Sequence, residues 1–498
     1  MSVAAIAAAT LIGGRRDGAY ADALSAITAP PPARIRVGRA TFDFPAVGVL
    51  SLDGTLCTGT LIGCRTVLTA GHCVCRNGAA SCVPSGEVAP DDVHLFFQHG
   101  GFAAVSAVDA GFDIDLAVVT LAQPITGILP ARLNPLGRPA RDAPTTIAGF
   151  GTEEFVDLVP QGVGIKRTAS VELTSCGSLL ADAIFLCANA TDADDPGVCQ
   201  GDSGGPLLAN TGAGSVVAGV AASIAGGSGV MECIPPFTQF FTDVMPWRAA
   251  INTAAAGDVS SEPCGDLPPV GSADVTVYPF TGELTASVDE VGGEFEVAPG
   301  IAVLRVTMNG ALVTGTARNN FDLFVEHAGE CGSICSDTRD SAFGACEIAA
   351  PAAGSWRVRA RRLQGEGEVQ VTVTLFNAGG AATEVAGSEP PPRINDWHPG
   401  GPHDRETSNE DGTTSRYIDG RLAGTEPALL HQLDSISGCV GDCDGCGSVS
   451  IDELVQLVNI ALGTIPMSAC SQSQSGGPVT ISALVQAVNA ALSGCPPA

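Results

Sequence analysis

Three polar side chains in the first half of the chain have the chemistry of a nucleophile, a base and a group that orients the base. Ser203 lies in the segment Gly-Asp-Ser-Gly-Gly-Pro at 201–206. His72 lies upstream in Leu-Thr-Ala-Gly-His-Cys, and Asp115 comes between them. A serine hydroxyl attacks well when a base removes its proton, and imidazole titrates close enough to neutral pH to do so. A buried carboxylate would fix the imidazole tautomer. We therefore predict acyl transfer, with Ser203 as nucleophile, His72 as general acid/base and Asp115 as the orienting group.

These segments, in the order His, Asp, Ser, resemble the trypsin/chymotrypsin family of serine endopeptidases over about residues 35–255. The resemblance implies a double six-stranded β-barrel, which agrees with the short apolar runs separated by turn residues. It also implies that the backbone N–H groups of Gly201 and Ser203 form the oxyanion hole, where glycine allows close approach. After activation cleavage, the new α-amino group would pair with Asp202.

Asp113 competes with Asp115 for the orienting role, because the segment reads Asp-Ile-Asp-Leu-Ala-Val at 113–118. The family pattern places its aspartate directly before an aliphatic residue and then alanine. That pattern favours Asp115, and Asp113 remains the alternative.

The activation site and the specificity pocket are predicted from the same resemblance. Cleavage before Ile35 would yield Ile-Arg-Val-Gly, and Leu-Ile-Gly-Gly at 11–14 is the alternative. The pocket floor, six residues before the nucleophile, is Gly197, and the pocket wall includes Ser223. With no acidic residue at the floor, a neutral or small apolar side chain is favoured over a basic one. A register shift that brings Asp195 to the floor is the alternative.

The cysteine spacing resembles the family as well. The pairs implied are Cys57–Cys73, Cys176–Cys187 and Cys199–Cys233. Cys75 and Cys82 would close a small loop, which leaves Cys64 for a distant partner, and the sequence leaves the connectivity open. The 18 cysteines of the chain favour an oxidising compartment.

The start of the chain indicates the compartment of the protein, and its overall charge restricts its binding partners. Residues 1–34 are predicted to be a signal and pro-segment, so we expect a secreted protein, extracellular or at the cell surface. No run is long and apolar enough to cross a bilayer. The net charge of −29 argues against nucleic-acid binding. The expected partners are polypeptide substrates, and catalysis would need no cofactor.

The second half of the chain is predicted to hold accessory modules. Residues 256–273 are predicted to be a linker and 274–378 a β-sandwich. Its segments at 320–325 and 351–359 resemble the pre-peptidase C-terminal domain of secreted bacterial proteases, which implies secretion support or surface binding; an unrelated sandwich is the alternative. Residues 379–437 are predicted to be a flexible linker.

Residues 438–498 are predicted to form a helical module, because 449–462 repeats as 479–492. The preceding loop resembles a degenerate dockerin calcium site, with Asp442, Asp444 and Glu453 as ligands of a weakly held calcium ion. A cell-surface or cohesin-like partner would then bind this tail. A disulfide-held helix pair without metal is the equal alternative.

We therefore predict a secreted serine endopeptidase, made as a zymogen, that hydrolyses peptide bonds through an acyl-enzyme. The competing hypothesis is a catalytically silent binding protein with a protease fold, whose C-terminal modules carry the function. Esterase activity on the same three residues is a third possibility.

Overall fold

The computed structural model describes residues 35, 38–52, 55–78, 82, 86–156, 159–211, 214–226, 233–314, 317–328, 333–377, 405–408, 414–418, 421–425, 449, 451–461 and 481–493. The predicted signal and pro-segment at 1–34 and the predicted calcium ligands Asp442 and Asp444 lie outside the described residues.

The first half of the chain is built from short strands with few helices. In chain order these are β1 (Arg39–Ala40), β2 (Val47–Leu52), β3 (Thr55–Leu61), β4 (Thr66–Thr69), β5 (Val93–Phe97), β6 (Gly101–Ala103), β7 (Val105–Asp109), β8 (Ala117–Leu121), β9 (Arg132–Leu133), β10 (Pro144–Gly149), β11 (Glu154–Val156), β12 (Val159–Gln161), β13 (Arg167–Thr174), α1 (Leu179–Ile184), β14 (Phe185–Ala190), β15 (Pro206–Asn210), β16 (Ser215–Gly226), β17 (Phe237–Asp243) and α2 (Arg248–Ala254).

The first sheet has seven strands in the order β6-β5-β2-β3-β4-β8-β7. All residues of β2 are buried because both faces of this strand are covered. Leu50 and Leu52 pack in the core of the first barrel, whereas Val47 and Val49 pack in a second core shared with the C-terminal sheets. The sequence of a strand that is covered on both faces is a continuous apolar run rather than an alternation of apolar and polar residues.

The second sheet follows the order β1-β13-β10-β15-β16-β17-β14, and pairing of β13 with β14 closes it. Its interior is filled by alternate apolar residues such as Leu207, Ala218 and Phe241. Helix α2 follows β17 and buries Ile251 in the core of the first barrel. The predicted mainly β fold with two barrels is confirmed.

Of the next ten strands, eight form two four-stranded sheets and two form a short hairpin. They are β18 (Val275–Leu284), β19 (Glu290–Val297), β20 (Ile301–Gly310), β21 (Val313–Thr314), β22 (Ala317–Arg318), β23 (Asn320–His327), β24 (Cys335–Asp337), β25 (Phe343–Ala349), β26 (Gly354–Gln364) and β27 (Gly367–Asn377), with β21 and β22 as a separate short hairpin. The sheet orders are β18-β27-β20-β25 and β19-β26-β23-β24. Residues of both sheets share one core, so we call the two sheets, at 275–377, the sandwich.

The sandwich is docked on the barrels through a core that contains polar side chains. Phe96 of β5 packs edge-on against Phe343 of β25, with ring centroids 5.0 Å apart. Beside this contact, the buried side chain of Gln370 accepts hydrogen bonds from Gln98 at 3.1 Å and from Asn309 at 2.8 Å. These hydrogen bonds satisfy the Gln370 oxygen and limit the cost of burying it, whereas Oε1 of Gln98 is buried without a hydrogen-bond partner.

The segment between barrel and sandwich, predicted to be a linker, is fastened to the first barrel. The carboxylate of Asp258 accepts hydrogen bonds from the backbone N–H of Cys64 at 3.1 Å and of Arg65 at 2.7 Å. A disulfide then joins Cys64 to Cys264. This segment is therefore part of the barrel surface.

The C-terminal part forms three short strands and two helices. They are β28 (Arg405–Ser408), β29 (Thr414–Ile418), β30 (Arg421–Thr425), α3 (Ile451–Ala461) and α4 (Ile481–Ser493). The strands form one sheet inside the region predicted to be a linker. Helices α3 and α4 pack through Leu457 and Ile460 against Ala487 and Ala490, which are equivalent positions of the repeat. Glu453 lies on α3. No helix among the described residues is long and apolar enough to cross a membrane.

Candidate active site

Strand pairing brings His72 and Asp115 together. His72 lies in a single 3-10 turn, Gly71–Cys73, that follows β4. Asp115 lies two residues before β8, which pairs antiparallel with β4 so that Thr69 is opposite Ala117. This register places the Asp115 carboxylate beside the turn: Oδ2 is 2.8 Å from His72 Nδ1, and Oδ1 accepts the His72 backbone N–H at 2.9 Å.

Asp115 rather than Asp113 therefore faces the histidine. Asp115 is buried, and Thr242 donates a hydrogen bond to its backbone oxygen at 3.2 Å. Asp113 is exposed. The carboxylate holds Nδ1 protonated, which leaves Nε2 of the ring free of the proton and able to accept one.

Ser203 lies in a turn before β15 that is held against the first barrel. The backbone oxygen of Ser203 accepts the N–H of Thr58 at 2.7 Å, and it lies 3.6 Å from Sγ of Cys73, the neighbour of His72. The nucleophile loop and the histidine turn are thus adjacent, each supplied by a different barrel.

The glycines of this loop are required by space and by backbone conformation. A Cβ on Gly204, whose φ is +82°, would lie 2.1 Å from Oγ1 of Thr69. Gly201 has a φ of +96°, and a Cβ there would lie 2.8 Å from Cα of Gly151. Positive φ values and close backbone approach are the two circumstances that favour glycine.

Asp202 is buried beside Ser203 in the chain. Its Oδ1 accepts the N–H of Gly151 at 2.9 Å, and its Oδ2 accepts the N–H of Cys199 at 3.0 Å. Burial raises the pKa of Asp202 to about 6, against the opposing effects of these two hydrogen bonds and of the Arg167 charge. The Ile35 side chain is buried in the core of the second barrel.

Two side chains of β17 lie against Gly197, the predicted pocket floor. Gly197 is buried, and a Cβ on it would lie 2.7 Å from Phe237 and 3.4 Å from Gln239. Gln239 is fully buried: its amide oxygen accepts the N–H of Val198 at 3.0 Å, and its amide nitrogen donates to the oxygen of Pro196 at 3.1 Å.

Neither Asp195 nor Ser223 is among the contacts given for Gly197. The Asp195 carboxylate accepts hydrogen bonds from the backbone and hydroxyl of Thr191, at 2.7 and 2.8 Å, and so caps its own turn. Ser223 is exposed on β16, immediately after a bulge between Ala221 and Ser223. Nothing acidic therefore faces Gly197 among the contacts described for it.

Disulfides bond the elements around the site. The structure contains Cys57–Cys73, Cys176–Cys187 and Cys199–Cys233, which are the pairs implied by the family resemblance, together with Cys75–Cys82, Cys64–Cys264 and Cys335–Cys346. His72 lies close to the sulfurs of Cys57 and Cys73, but both sulfurs are in the disulfide and cannot serve as thiolate ligands.

The site geometry agrees with comparisons to known proteins. The family model described as Trypsin matches residues 37–247. The chain is 30% identical over 188 residues to the cercarial protease of Schistosoma mansoni, a match that covers 33% of this chain and 70% of that protein. The chain belongs to the trypsin family. The domain is also 30% identical over 174 residues to a trypsin of Sarcophaga bullata, covering 31% of this chain and 64% of that one. Against snake venom serine protease CL2 of Trimeresurus stejnegeri it is 31% identical over 182 residues, covering 33% and 67%.

Sequence reasoning missed two features of this trypsin-family domain. One is Gln239, whose contacts with Gly197 and Val198 join distant parts of the chain and have no local sequence signal. The other is Arg167, which is 1% exposed and contacts a carboxylate 201 residues away. A buried arginine has no local sequence signal, and the adjacent Lys166 is buried as well.

Proposed function

We propose that this trypsin-family domain is a serine endopeptidase that acts through an acyl-enzyme. The observation that carries the proposal is the 2.8 Å contact between Nδ1 of His72 and Asp115, beside the loop that bears Ser203. Oγ of Ser203 attacks the substrate carbonyl while Nε2 of His72 takes its proton. The tetrahedral intermediate places its negative oxygen at the N–H groups of Gly201 and Ser203. His72 then protonates the leaving amine, and water releases the acyl group by the reverse sequence.

We assign the substrates as polypeptides with a small uncharged residue before the scissile bond. Gln239 and Phe237 occupy the space beneath Gly197, which supports a shallow pocket. A basic side chain would need a carboxylate at that depth, and the nearby Asp195 caps its own turn instead. The pocket disulfide Cys199–Cys233 and Phe237 complete an apolar wall.

We further propose that the protein is secreted and made as a zymogen. Six disulfides among the described residues support an oxidising compartment. Cleavage before Ile35 would supply an ammonium group for Asp202. The pKa of Asp202, raised to about 6 by burial, supports this step, because a buried carboxylate is stabilised by a cation.

Labelling with a fluorophosphonate probe tests the enzymatic proposal. The processed full-length protein is incubated with the probe beside Ser203→Ala and Asp113→Asn variants. We expect labelling of the parent protein and of Asp113→Asn, and none of Ser203→Ala. A parent protein that is folded, begins at Ile35 and is not labelled would contradict the proposal and would favour a binding protein with a protease fold.

The C-terminal modules carry separate proposals. We assign the sandwich to secretion support or surface binding, and the tail to a weak calcium site formed by Asp442, Asp444 and Glu453. Calcium titration of the full chain and of Asp444→Ala, followed by isothermal calorimetry, tests the second assignment. Equal heats for the two proteins would contradict it and would leave the tail as a helix pair without metal.

A further inference from the structure

The sandwich contacts the second barrel beside a hairpin whose N-terminal flank, at 151–152, contacts the loop that bears Ser203. This hairpin consists of β11 and β12, and its C-terminal flank at 162–166 lies under the sandwich. The N–H of Leu312 donates to the oxygen of Val163 at 2.9 Å, and the side chain of Asn309 donates to the oxygen of Gly164 at 3.0 Å. A Cβ on Gly164 would lie 2.6 Å from the oxygen of Gly310, so the two backbones are in direct contact.

A buried arginine connects the sandwich to the other flank of the hairpin. Nη2 of Arg167 is 2.7 Å from Oε2 of Glu153 and 2.9 Å from Oε2 of Glu368. Nη1 of the same guanidinium donates to the oxygen of Gly162 at 2.6 Å. The Arg167 side chain is 1% exposed, and both carboxylates are less than one-fifth exposed. In such a buried group, removing one charge leaves the remaining charges imperfectly compensated.

The residues that directly precede Glu153 in the chain hold the oxyanion loop. The N–H of Thr152 donates to the oxygen of Gln200 at 2.7 Å, and the N–H of Gly151 donates to Asp202 at 2.9 Å. Gln200 and Asp202 flank Gly201, one of the two proposed oxyanion donors. The charge of Arg167 also acts on the Asp202 carboxylate. A continuous series of contacts therefore joins Glu368 to the loop at 200–203.

We propose that Glu368 of the sandwich is a positioning residue for the oxyanion loop, acting through Arg167 and Glu153. The sandwich then serves as a built-in activator of the protease domain and not only as an attached module. This inference rests on the proposed peptidase function. Oxyanion donors act by being held in place before the reaction, so a looser loop weakens transition-state binding more than substrate binding.

The chain offers a matched control within the sandwich. Arg359 is likewise shared between two carboxylates, those of Glu290 and Glu326, on the sheet formed by β19, β23 and β26. That group makes its contacts inside the sandwich. Glu368→Gln and Glu326→Gln therefore each remove one charge from an arginine shared by two carboxylates, the second cluster being more exposed. Of the contacts given for the two clusters, only those of the first lead to the oxyanion loop.

Steady-state kinetics and hydrogen exchange on the processed full-length chain test the proposal. For Glu368→Gln we expect kcat on a peptide substrate to fall about tenfold while KM changes less than twofold. For Glu326→Gln we expect both constants within about twofold of the parent. Amide exchange in peptides covering 198–205 should become faster in Glu368→Gln alone.

The outcomes separate this inference from the proposed function. Equal kcat values and equal exchange at 198–205 for the two variants would overturn the role of Glu368. The role of Glu368 would also be overturned if kcat fell in both variants in proportion to the decrease in their melting temperatures. A parent protein that is inactive would refute the peptidase function, and the exchange comparison would still decide whether Glu368 orders the loop.

Discussion

Asp115 makes two hydrogen bonds to the same residue, one to the ring Nδ1 of His72 and one to its backbone N–H, at 2.8 and 2.9 Å. The pair fixes both the position of the histidine turn and the orientation of its ring. An asparagine keeps one acceptor but presents an amide group where the second acceptor is needed. The imidazole would then be held in the wrong tautomer.

We therefore predict that Asp115→Asn lowers kcat by about 10³–10⁴-fold with a small change in KM. Asp113→Asn, two residues away and exposed, serves as the control and should retain full activity. Measuring kcat and KM for both variants on one peptide substrate decides the assignment. A large loss in Asp113→Asn, with Asp115→Asn active, would reverse it.

We predict that replacing Gln239 changes the substrate preference of the enzyme. Replacing Gln239 with glycine empties space beneath Gly197, so substrates with a larger apolar residue before the scissile bond should gain about tenfold in kcat/KM relative to alanine substrates. The lost hydrogen bonds to Pro196 and Val198 should lower stability by about 1–3 kcal/mol. Thr238→Ala, in the same strand, is the control. An unchanged ratio in Gln239→Gly would show that the pocket lies elsewhere.

We predict that His99, which lies between barrel and sandwich, makes the folded protein less stable at acidic pH. Burial, together with the nearby Lys166 charge, lowers the pKa of His99 from 6.5 to about 3. Between these values the unfolded chain binds a proton that the folded protein does not. Stability from this group is therefore fully present above pH 6.5 and falls as the pH drops towards 3, by up to about 1.4 kcal/mol per pH unit.

Urea unfolding between pH 4 and 8 measures this effect. We expect the free energy of unfolding to fall more steeply below pH 6.5 in the parent protein than in His99→Gln. The difference between the two slopes should correspond to the uptake of about one more proton on unfolding. Glutamine lacks the titration but has an N–H that can donate to the oxygen of Phe42, as the ring Nε2 does at 2.9 Å. Parallel curves for the two proteins would exclude His99 as the source. The titration of Asp202 changes stability with pH in the opposite direction, and it contributes equally to the parent protein and to His99→Gln.

The disulfide between Cys64 and Cys264 predicts a large contribution to stability. It joins residues 200 positions apart, so it restricts the unfolded chain far more than Cys75–Cys82, whose separation is 7. Loop entropy predicts a loss of about 5 kcal/mol for Cys64→Ser/Cys264→Ser and about 2 kcal/mol for Cys75→Ser/Cys82→Ser. Denaturant unfolding of the two double variants checks the order, and a larger loss in the second would contradict it.

The residues proposed for catalysis could be identified from the sequence because their signals are local. The segments around His72 and Ser203 each need specific neighbours, such as the glycine at 204 that has no room for a Cβ. The strands of the barrels are likewise visible as short apolar runs between turns. The tail repeat also appears in the packing, since Leu457 and Ala487, equivalent residues on α3 and α4, are both buried.

The sequence by itself thus determined the family, the residues proposed for catalysis and the mainly β architecture. Only the tertiary structure decided what fills the pocket and how the sandwich is attached. Gln239 reaches Gly197 because β17 packs against the loop that precedes Ser203. Glu368 reaches Arg167 because two domains share a buried surface. Both depend on contacts between distant parts of the chain, which local spacing and periodicity do not encode.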